Sequence, residues 1–251
     1  TVLPDAAEKD CRIHTIALSD KADLPLLRQI AIQTDGLFTL LDRAGDLIPV
    51  MLDALELALH SQQLPVRNQE IQIDADIRQV RFIRLGSDTP IALRSTERTI
   101  NTKDQSNDIS YYSGTGYQTL IWSNPVPGRY TLTEQFGPTD RILIDSDVRL
   151  ELGELPPTIS ADQTLGLNAS ISNKGAPINA DSREFFVAFG ANMDPLRSRG
   201  DGLATQIDSP QVGRSILTIQ SFDASHERQV QRAFEALEAR PAMEIASCTS
   251  Q

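Results

Sequence analysis

Residues 12–59 read RIHTIALSDKADLPLLRQIAIQTDGLFTLLDRAGDLIPVMLDALELAL, and they hold the long helical patterns of the chain. The apolar, β-branched run at residues 13–18 predicts a buried strand, and residues 19–23 are rich in helix N-capping types. Apolar residues then recur at three- and four-residue steps, and Asp35-Gly36 predicts the helix end, with the glycine in the left-handed conformation. The first half of the stretch therefore predicts a strand followed by a helix.

The second half repeats this order. Residues 37–41 predict a short strand, and Asp42 opens a second helix. The predicted buried stripe of this helix is Leu47, Val50, Met51, Ala54, Leu55, Ala58 and Leu59. The order strand, helix, strand, helix is typical of a parallel sheet with helices on its faces. Two strands cannot complete such a sheet, so we expect residues 1–62 to be the end of a larger α/β domain.

Residues 11–59, through the pattern HTIALS…AD…LL…IA..T.G, resemble the last strand and closing helices of a von Willebrand factor type A domain. That family holds Mg²⁺ or Mn²⁺ on a DxSxS loop, with Thr and Asp from later loops, and all of these precede the matching segment. The resemblance therefore implies no metal or cofactor residue in this chain. The nearest motif, Asp104-Gln105-Ser106-Asn107-Asp108, ends in Asp where Ser is needed, and no converging oxygens accompany it.

Beyond Leu59 the pattern changes to short alternating runs divided by turns, which is typical of β-sandwiches. Residues 61–65 are predicted to be a polar linker, and Trp122 is predicted to anchor a core. Strands of a first sandwich are predicted at 69–74, 77–85, 90–94, 109–113, 117–122, 128–136 and 141–152. After the stiff spacer Leu155-Pro156-Pro157, strands of a second sandwich are predicted at 163–173, 183–189, 203–208, 213–222 and 227–237.

These β segments are similar to modules that follow the type A domain in a group of bacterial von Willebrand domain proteins. The likeness lies in NPVPGRY at 124–130 and in ISNKGAPI at 171–178. The resulting fold class is multi-domain α/β plus all-β, a partial Rossmann-like type A segment followed by two immunoglobulin-like β-sandwiches. The predicted domains are 1–62, 63–154 and 155–240, with a tail at 241–251.

Composition excludes several partners. The net charge of −11 opposes binding to nucleic-acid phosphates and to anionic lipid. No apolar run approaches the roughly 18 residues of a membrane-spanning helix, so any membrane anchor is expected outside this stretch. Cys11 and Cys248 stand at opposite ends of the chain, and their pairing is left open.

No catalytic residue is predicted. His14, His60 and His226 are the available imidazole bases, and none has a visible nucleophile and orienting carboxylate, so structural roles are favoured. The tripeptide Arg199-Gly200-Asp201 could dock on an integrin, but a hairpin turn is the favoured interpretation. Three evenly spaced carboxylates could line a calcium site but lack EF-hand order; they are Asp194, Asp201 and Asp208.

We therefore expect a non-enzymatic interaction protein. The resemblance implies an extracytoplasmic, membrane-held parent that grips a protein ligand through a divalent ion, with the sandwiches as spacers or docking surfaces. Self-association through the incomplete α/β part or through edge strands is also expected. The alternative is a set of carbohydrate-binding β modules from a truncated enzyme or accessory protein. Its candidate aromatic residues are Tyr111, Tyr112, Tyr117 and Trp122.

Overall fold

The computed structural model describes residues 6, 8–9, 11–41, 43–101, 106–137, 139–179, 183–189, 192–199, 202–207 and 211–238. Strands dominate these residues. The helices with defined bounds are α1 (Leu24–Gln33) and α2 (Leu47–Leu59), beside a 3-10 turn at Ala44–Asp46. The predicted class, with a Rossmann-like type A segment beside all-β modules, is therefore wrong: the protein is mostly β, and its bulk lies in β-sandwiches.

The predicted order of elements in the N-terminal unit is confirmed. Strand β1 (Thr15–Ala17), α1, β2 (Phe38–Leu40) and α2 follow one another, and β1 pairs with β2 in parallel. In the described residues no third strand joins this pair. The α/β class is wrong because this pair and its helices are a small part of the protein, whose other described strands form the sandwich layers.

Helix α1 begins at a side-chain cap and ends at a tight backbone contact. Asp23 accepts a hydrogen bond from Leu26 N at 3.1 Å, and Pro25 occupies the first turn. At the end of the helix Asp35 adopts the left-handed conformation, with φ of 53°. A Cβ on Gly36 would lie 2.1 Å from the Ile13 carbonyl oxygen, so this glycine is needed for space. The prediction that Gly36 takes the left-handed conformation is wrong.

Helix α2 turns its acidic side inward. Its buried residues are Val50, Asp53, Glu56 and Leu57. Four members of its apolar side are exposed, namely Ile48, Met51, Leu55 and Leu59. The predicted buried stripe is therefore wrong at Met51, Leu55, Ala58 and Leu59, because arginines of the β units hold Asp53 and Glu56 on the inner face.

The first sandwich consists of two layers. Its bounded strands are β3 (Gln62–Gln63), β4 (Glu70–Ile73), β5 (Ile77–Leu85), β6 (Ala92–Arg94), β7 (Thr99–Asn101), β8 (Ile109–Gly114), β9 (Tyr117–Ser123), β10 (Gly128–Leu132) and β11 (Arg141–Ser146). One layer has the order β4-β10-β6-β7, and the other has the order β3-β11-β5-β9-β8. Trp122 is fully buried between them, as predicted, and Tyr130 packs edge-on against it at 5.2 Å.

The second sandwich also has two layers. Its bounded strands are β12 (Val148–Leu152), β13 (Thr158–Ser160), β14 (Leu165–Asn173), β15 (Ala176–Pro177), β16 (Glu184–Phe189), β17 (Asn192–Pro195), β18 (Arg197–Arg199), β19 (Gly202–Ile207), β20 (Gly213–Phe222) and β21 (Glu227–Leu237). One layer has the order β17-β16-β20-β21, with β13 beside β21. The other has the order β12-β14-β19-β18, with β15 beside β14.

One sheet runs through both sandwiches. Strand β3 pairs with β11 on one side and with β21 on the other, through Gln63 opposite Leu143 and Gln229. The predicted linker at 61–65 is thus wrong, because Gln62 and Gln63 form a buried central strand. The predicted strand at 141–152 divides into β11 in the first sandwich and β12 in the second. Within the described residues no helix is long and apolar enough to cross a bilayer.

Candidate functional site

The junction of the two sandwiches centres on a fully buried arginine. Arg228 of β21 binds Asp74, which follows β4, through Nη1 to Oδ2 at 2.6 Å and Nη2 to Oδ1 at 3.1 Å. It also donates from Nε to Val148 O at 2.9 Å, from Nη2 to Ser146 Oγ at 2.8 Å and from Nη1 to Glu227 O at 2.9 Å. All three guanidinium nitrogens therefore have partners, and these partners come from both sandwiches and the crossover.

A histidine and two aspartates lie beside this arginine. His226 Nε2 is 2.9 Å from Asp76 Oδ2, and its Nδ1 is 3.6 Å from Asp223 Oδ1. Ligand atoms of Asp74, Asp76 and His226 lie within 4.8 Å of one another. The cluster offers few ligands to a cation, because both Asp74 oxygens already accept hydrogen bonds from Arg228. Asp74 itself is buried.

Nucleophilic chemistry needs a hydroxyl or thiol on the imidazole. Among the described residues no such group hydrogen-bonds to His226, whose ring partners are carboxylates. The neighbouring Asp223 accepts hydrogen bonds from the backbone N–H groups of Ser225 and His226 and pairs with Arg183. Those backbone hydrogen bonds and Arg183 lower the pKa of Asp223 against the opposing effect of burial. The arrangement shapes the β20–β21 turn.

A second polar network joins α2 to the sandwiches. Arg141 of β11 donates to Glu56 Oε1 and Asp53 Oδ1, both at 2.9 Å, and Arg214 of β20 pairs with Asp53. Burial raises the pKa of Glu56, although Arg141 acts in the opposite direction. Gln63 donates to Glu56 Oε2 at 2.9 Å, so the bridging strand also contacts the helix.

A cleft of about 750 Å³ separates β2 from the open end of the β20–β21 pair. Its walls include Phe38, Thr39 and Leu40 on one side and Arg214 and Glu235 on the other. Arg28 of α1 lies above the Phe38 ring, with its Cζ 4.8 Å from the ring centroid, and donates to Glu235 Oε1 at 3.3 Å. Burial raises the pKa of Glu235, and Arg28 partly offsets that effect.

Three buried polar atoms at this cleft have no hydrogen-bond partner. They are Arg28 Nε, Thr39 Oγ1 and Glu235 Oε2. Thr39 is 5% exposed and Glu235 is 7% exposed, so bulk water does not supply the missing hydrogen bonds of either side chain. An unpartnered buried polar atom needs an explanation, such as a bound water or ligand, and the three residues that carry these atoms line one cavity. The sequence could not indicate this site, because its walls are about 200 residues apart.

The other predicted imidazoles are structural. His14 accepts a hydrogen bond from Leu37 N at 3.0 Å through Nδ1, and burial, with Arg12 nearby, lowers its pKa. His60 takes the left-handed conformation at the end of α2. Neither approaches the His226 cluster in the contacts that the structure describes.

Several other candidate residues fall partly outside the described chain. Asp104 and Gln105 lie outside it, while Asp108 accepts a hydrogen bond from Trp122 Nε1 at 3.1 Å and pairs with Arg98. Gly200 and Asp201 of the Arg-Gly-Asp tripeptide and Asp208 of the proposed calcium set also lie outside it, and Asp194 is exposed on β17. The calcium and integrin hypotheses are therefore untested. Cys11 is exposed and unpaired, and Cys248 lies outside the described residues.

The proposed aromatic platform for carbohydrate is reduced to two side chains. Trp122 is in the core, and the Tyr111 hydroxyl donates to the buried Gln118 side chain at 3.0 Å. Tyr112 and Tyr117 are exposed. Tyr112 lies opposite Thr119 and Gly114 lies opposite Tyr117, so the two tyrosines share a face of the β8–β9 pair.

No protein-family model and no curated protein matches the sequence. Among solved structures, the chain is similar to a DUF4785 family protein from Legionella pneumophila, at TM-score 0.38 and 9% identity over 70% of this chain and 64% of that one. It is similar to chimeric titin Z1Z2, at TM-score 0.26 and 8% identity over 72% and 98% of the two chains.

A third likeness is to β-glucuronidase 3 from Bacteroides uniformis, at TM-score 0.26 and 8% identity over 66% of this chain and 26% of that one. This chain thus spans under two thirds of the Legionella protein. None of the three is described as a type A domain protein. At these scores the likenesses carry no functional argument.

Proposed function

We propose that this chain is a non-enzymatic interaction protein whose two β-sandwiches form one stiff spacer that holds docking surfaces at a fixed separation. The observation that carries the proposal is the sheet that continues through β3 from one sandwich to the other. The buried ion pair between Arg228 and Asp74 holds this junction. A spacer with a flexible hinge would have a solvated linker at this point. Here the crossover residues Ser146 and Val148 are buried and bonded to Arg228.

The polar groups at the junction bind one another and so hold the two sandwiches together. Arg228 binds Asp74 with two nitrogens, and Gln62 both donates to Leu150 O and accepts from Leu150 N at 2.8 Å. Fully satisfied buried networks make an arrangement rigid and specific. This use of the most buried ionisable groups supports a mechanical role.

Further parts of the proposal rest on the resemblance stated above. They are the immunoglobulin-like character of the sandwiches, an extracytoplasmic and membrane-held parent, and a protein ligand gripped through Mg²⁺ or Mn²⁺ by a type A domain. The complete gene product should then capture its ligand with either ion and release it to a chelator. Ion-independent capture would contradict that part.

The spacer is tested by distances between spin labels on the two sandwiches. Ser110 of β8 and Asn168 of β14 are exposed and can be changed to labelled cysteines in a Cys11→Ser/Cys248→Ser background. Pulsed electron resonance should give one narrow distance distribution. The same labels in an Asp74→Ala protein should give a broader one, because Arg228 is then buried at the junction without its carboxylate. A broad distribution with Asp74 and Arg228 present would contradict the spacer.

A further inference from the structure

The outer edge of β2 has no strand beside it among the described residues, and it is exposed at Leu40 but covered at Phe38. Thr15 N donates to Leu37 O and Leu41 N donates to Ala17 O, both at 2.9 Å, so residues 37, 39 and 41 direct their backbone groups toward β1. Successive residues of a strand point to opposite edges, which leaves the N–H and C=O groups of Phe38 and Leu40 on the other edge. In the part of the chain that the structure describes, no strand pairs with that edge.

The cleft described above lies along this edge. Phe38, Thr39 and Leu40 all line it, and no β1 residue does. Because consecutive side chains alternate between the two faces of a strand, a cavity that touches three in a row reaches the edge itself. The opposite wall, at Gly213 and Glu235, leaves a volume of about 750 Å³, enough for a short stretch of extended chain.

The unpartnered atoms in the cleft match what a peptide unit offers. Glu235 Oε2 is a buried acceptor, Arg28 Nε is a buried donor, and Thr39 Oγ1 can do either. A peptide carries one N–H donor and one C=O acceptor in each unit, so it can satisfy both kinds of atom at once. A simple anion fits less well, because it would meet Glu235, and because Arg28 and Arg214 already have carboxylate partners.

We propose that the cleft binds an extended peptide segment of a partner protein, which adds as a strand to the outer edge of β2. Backbone hydrogen bonds to Leu40, the exposed residue of this edge, hold the segment. Leu40 and Val212 are exposed apolar side chains at the cleft, so the segment carries apolar side chains at alternate positions. This inference rests on the proposed interaction role and names its partner class.

The probe is a phage-displayed library of random heptapeptides selected on the immobilised full chain. Selected peptides are synthesised, and their affinity is measured by fluorescence polarisation. Leu40→Pro removes an N–H from the open edge, where proline is tolerated, and should weaken binding about tenfold or more. Wild-type chain should bind peptides with alternating apolar residues.

A matched proline variant controls for the substitution itself. Strand β8 ends its sheet, and Ser123 N donates to Asp108 O at 2.8 Å, so the N–H groups of residues 110, 112 and 114 point toward β9. The Ser113 N–H therefore points outward, as that of Leu40 does. Ser113→Pro removes a comparable N–H from an edge far from the cleft, and it should leave peptide affinity unchanged.

If Leu40→Pro does not fold, Thr39→Val tests peptide binding at the cleft in its place. Valine has the shape of threonine without the hydroxyl, so the change removes an unpartnered buried atom from the free protein and a hydrogen bond from the complex. The variant should melt at a higher temperature than wild type yet bind the selected peptides about three- to tenfold more weakly. If Thr39 had a purely structural role, a higher melting temperature would not be accompanied by weaker peptide binding.

Failure of the peptide-binding proposal can be distinguished from failure of the spacer proposal. The inference is overturned if no peptide is enriched, or if the selected peptides bind Thr39→Val as tightly as wild type. Neither result touches the spacer, because the spin-label distances across the junction do not involve the cleft. A narrow distance distribution with no peptide binding would reject the cleft and keep the spacer.

Discussion

The two sandwich cores and the junction between them are stabilised in opposite ways. The cores are packed from apolar strand faces, such as Val80 and Phe82 in the first sandwich and Leu217 and Ile219 in the second. The junction buries Arg228 and other polar side chains at exposures close to zero. A core gains from area removed from water and tolerates exchange of similar shapes, whereas a buried charge is stable only with its partner.

The largest expected effect is a cavity in a core. Trp122→Ala should lower the free energy of unfolding by about 3–5 kcal/mol, because it removes a fully buried ring that also supports Tyr130. Urea unfolding followed by circular dichroism measures the loss. Tyr112→Ala is the control, since that ring is 56% exposed, and it should change stability by less than about 0.5 kcal/mol. If Trp122→Ala lowers the unfolding free energy as little as Tyr112→Ala does, the distinction between the apolar cores and the polar junction fails.

The junction should respond to charge imbalance more than to lost volume. Asp74→Ala leaves Arg228 buried without its carboxylate and should cost about 3–5 kcal/mol in unfolding free energy. Asp74→Leu/Arg228→Met replaces both charges with apolar groups and should recover most of that loss. If the double variant is no more stable than Asp74→Ala, the junction behaves like the cores and the comparison fails.

A close backbone approach gives a smaller effect in the N-terminal unit. Gly36→Ala should lower the unfolding free energy by about 1–3 kcal/mol, since the added Cβ would overlap the Ile13 carbonyl. Gly45→Ala is the matched control, because a Cβ there has no neighbour within 4 Å. Thermal unfolding of the two variants under the same conditions tests the contrast. Equal melting temperatures would show that the contact relaxes freely.

The smallest effect depends on pH and comes from Glu235. Its folded pKa is raised by burial, so its favourable contribution is present below the unfolded pKa of about 4.5 and is lost as pH rises through the folded value. Glu235→Gln has no such dependence. The stability of the variant relative to wild type should therefore increase between pH 4 and pH 7 in urea titrations. A constant difference would contradict the raised pKa.

The core strands could be predicted because alternation is local. The predicted strand at 77–85 agrees with β5, and those at 213–222 and 227–237 agree with β20 and β21. In β5 and in the first half of β21 buried and less buried side chains largely alternate, and that period of two is visible in a short window, whereas residues 219–222 and 232–236 are buried on both faces. The apolar anchor Trp122 follows from the same reasoning.

The junction could not be predicted because its partners are distant in sequence. Gln62-Gln63 has the composition of a linker, and its role as a bridging strand depends on Leu143 and Gln229. Helix α2 shows the same limit, since hydrophobic periodicity favours burying Met51, whereas Arg141 draws Glu56 inward. The cleft beside β2 is likewise formed by elements that meet only in the fold.

The central claim is that the polar junction couples the two sandwiches into one unit. Trp122 is the single tryptophan and reports on the first sandwich, while a dye on Asn168→Cys in the Cys11→Ser/Cys248→Ser background reports on the second. In one urea titration both signals should change at the same midpoint, and they should separate in the Asp74→Ala protein, where Arg228 is buried without its carboxylate. Two different midpoints with the Arg228–Asp74 pair intact would contradict the account.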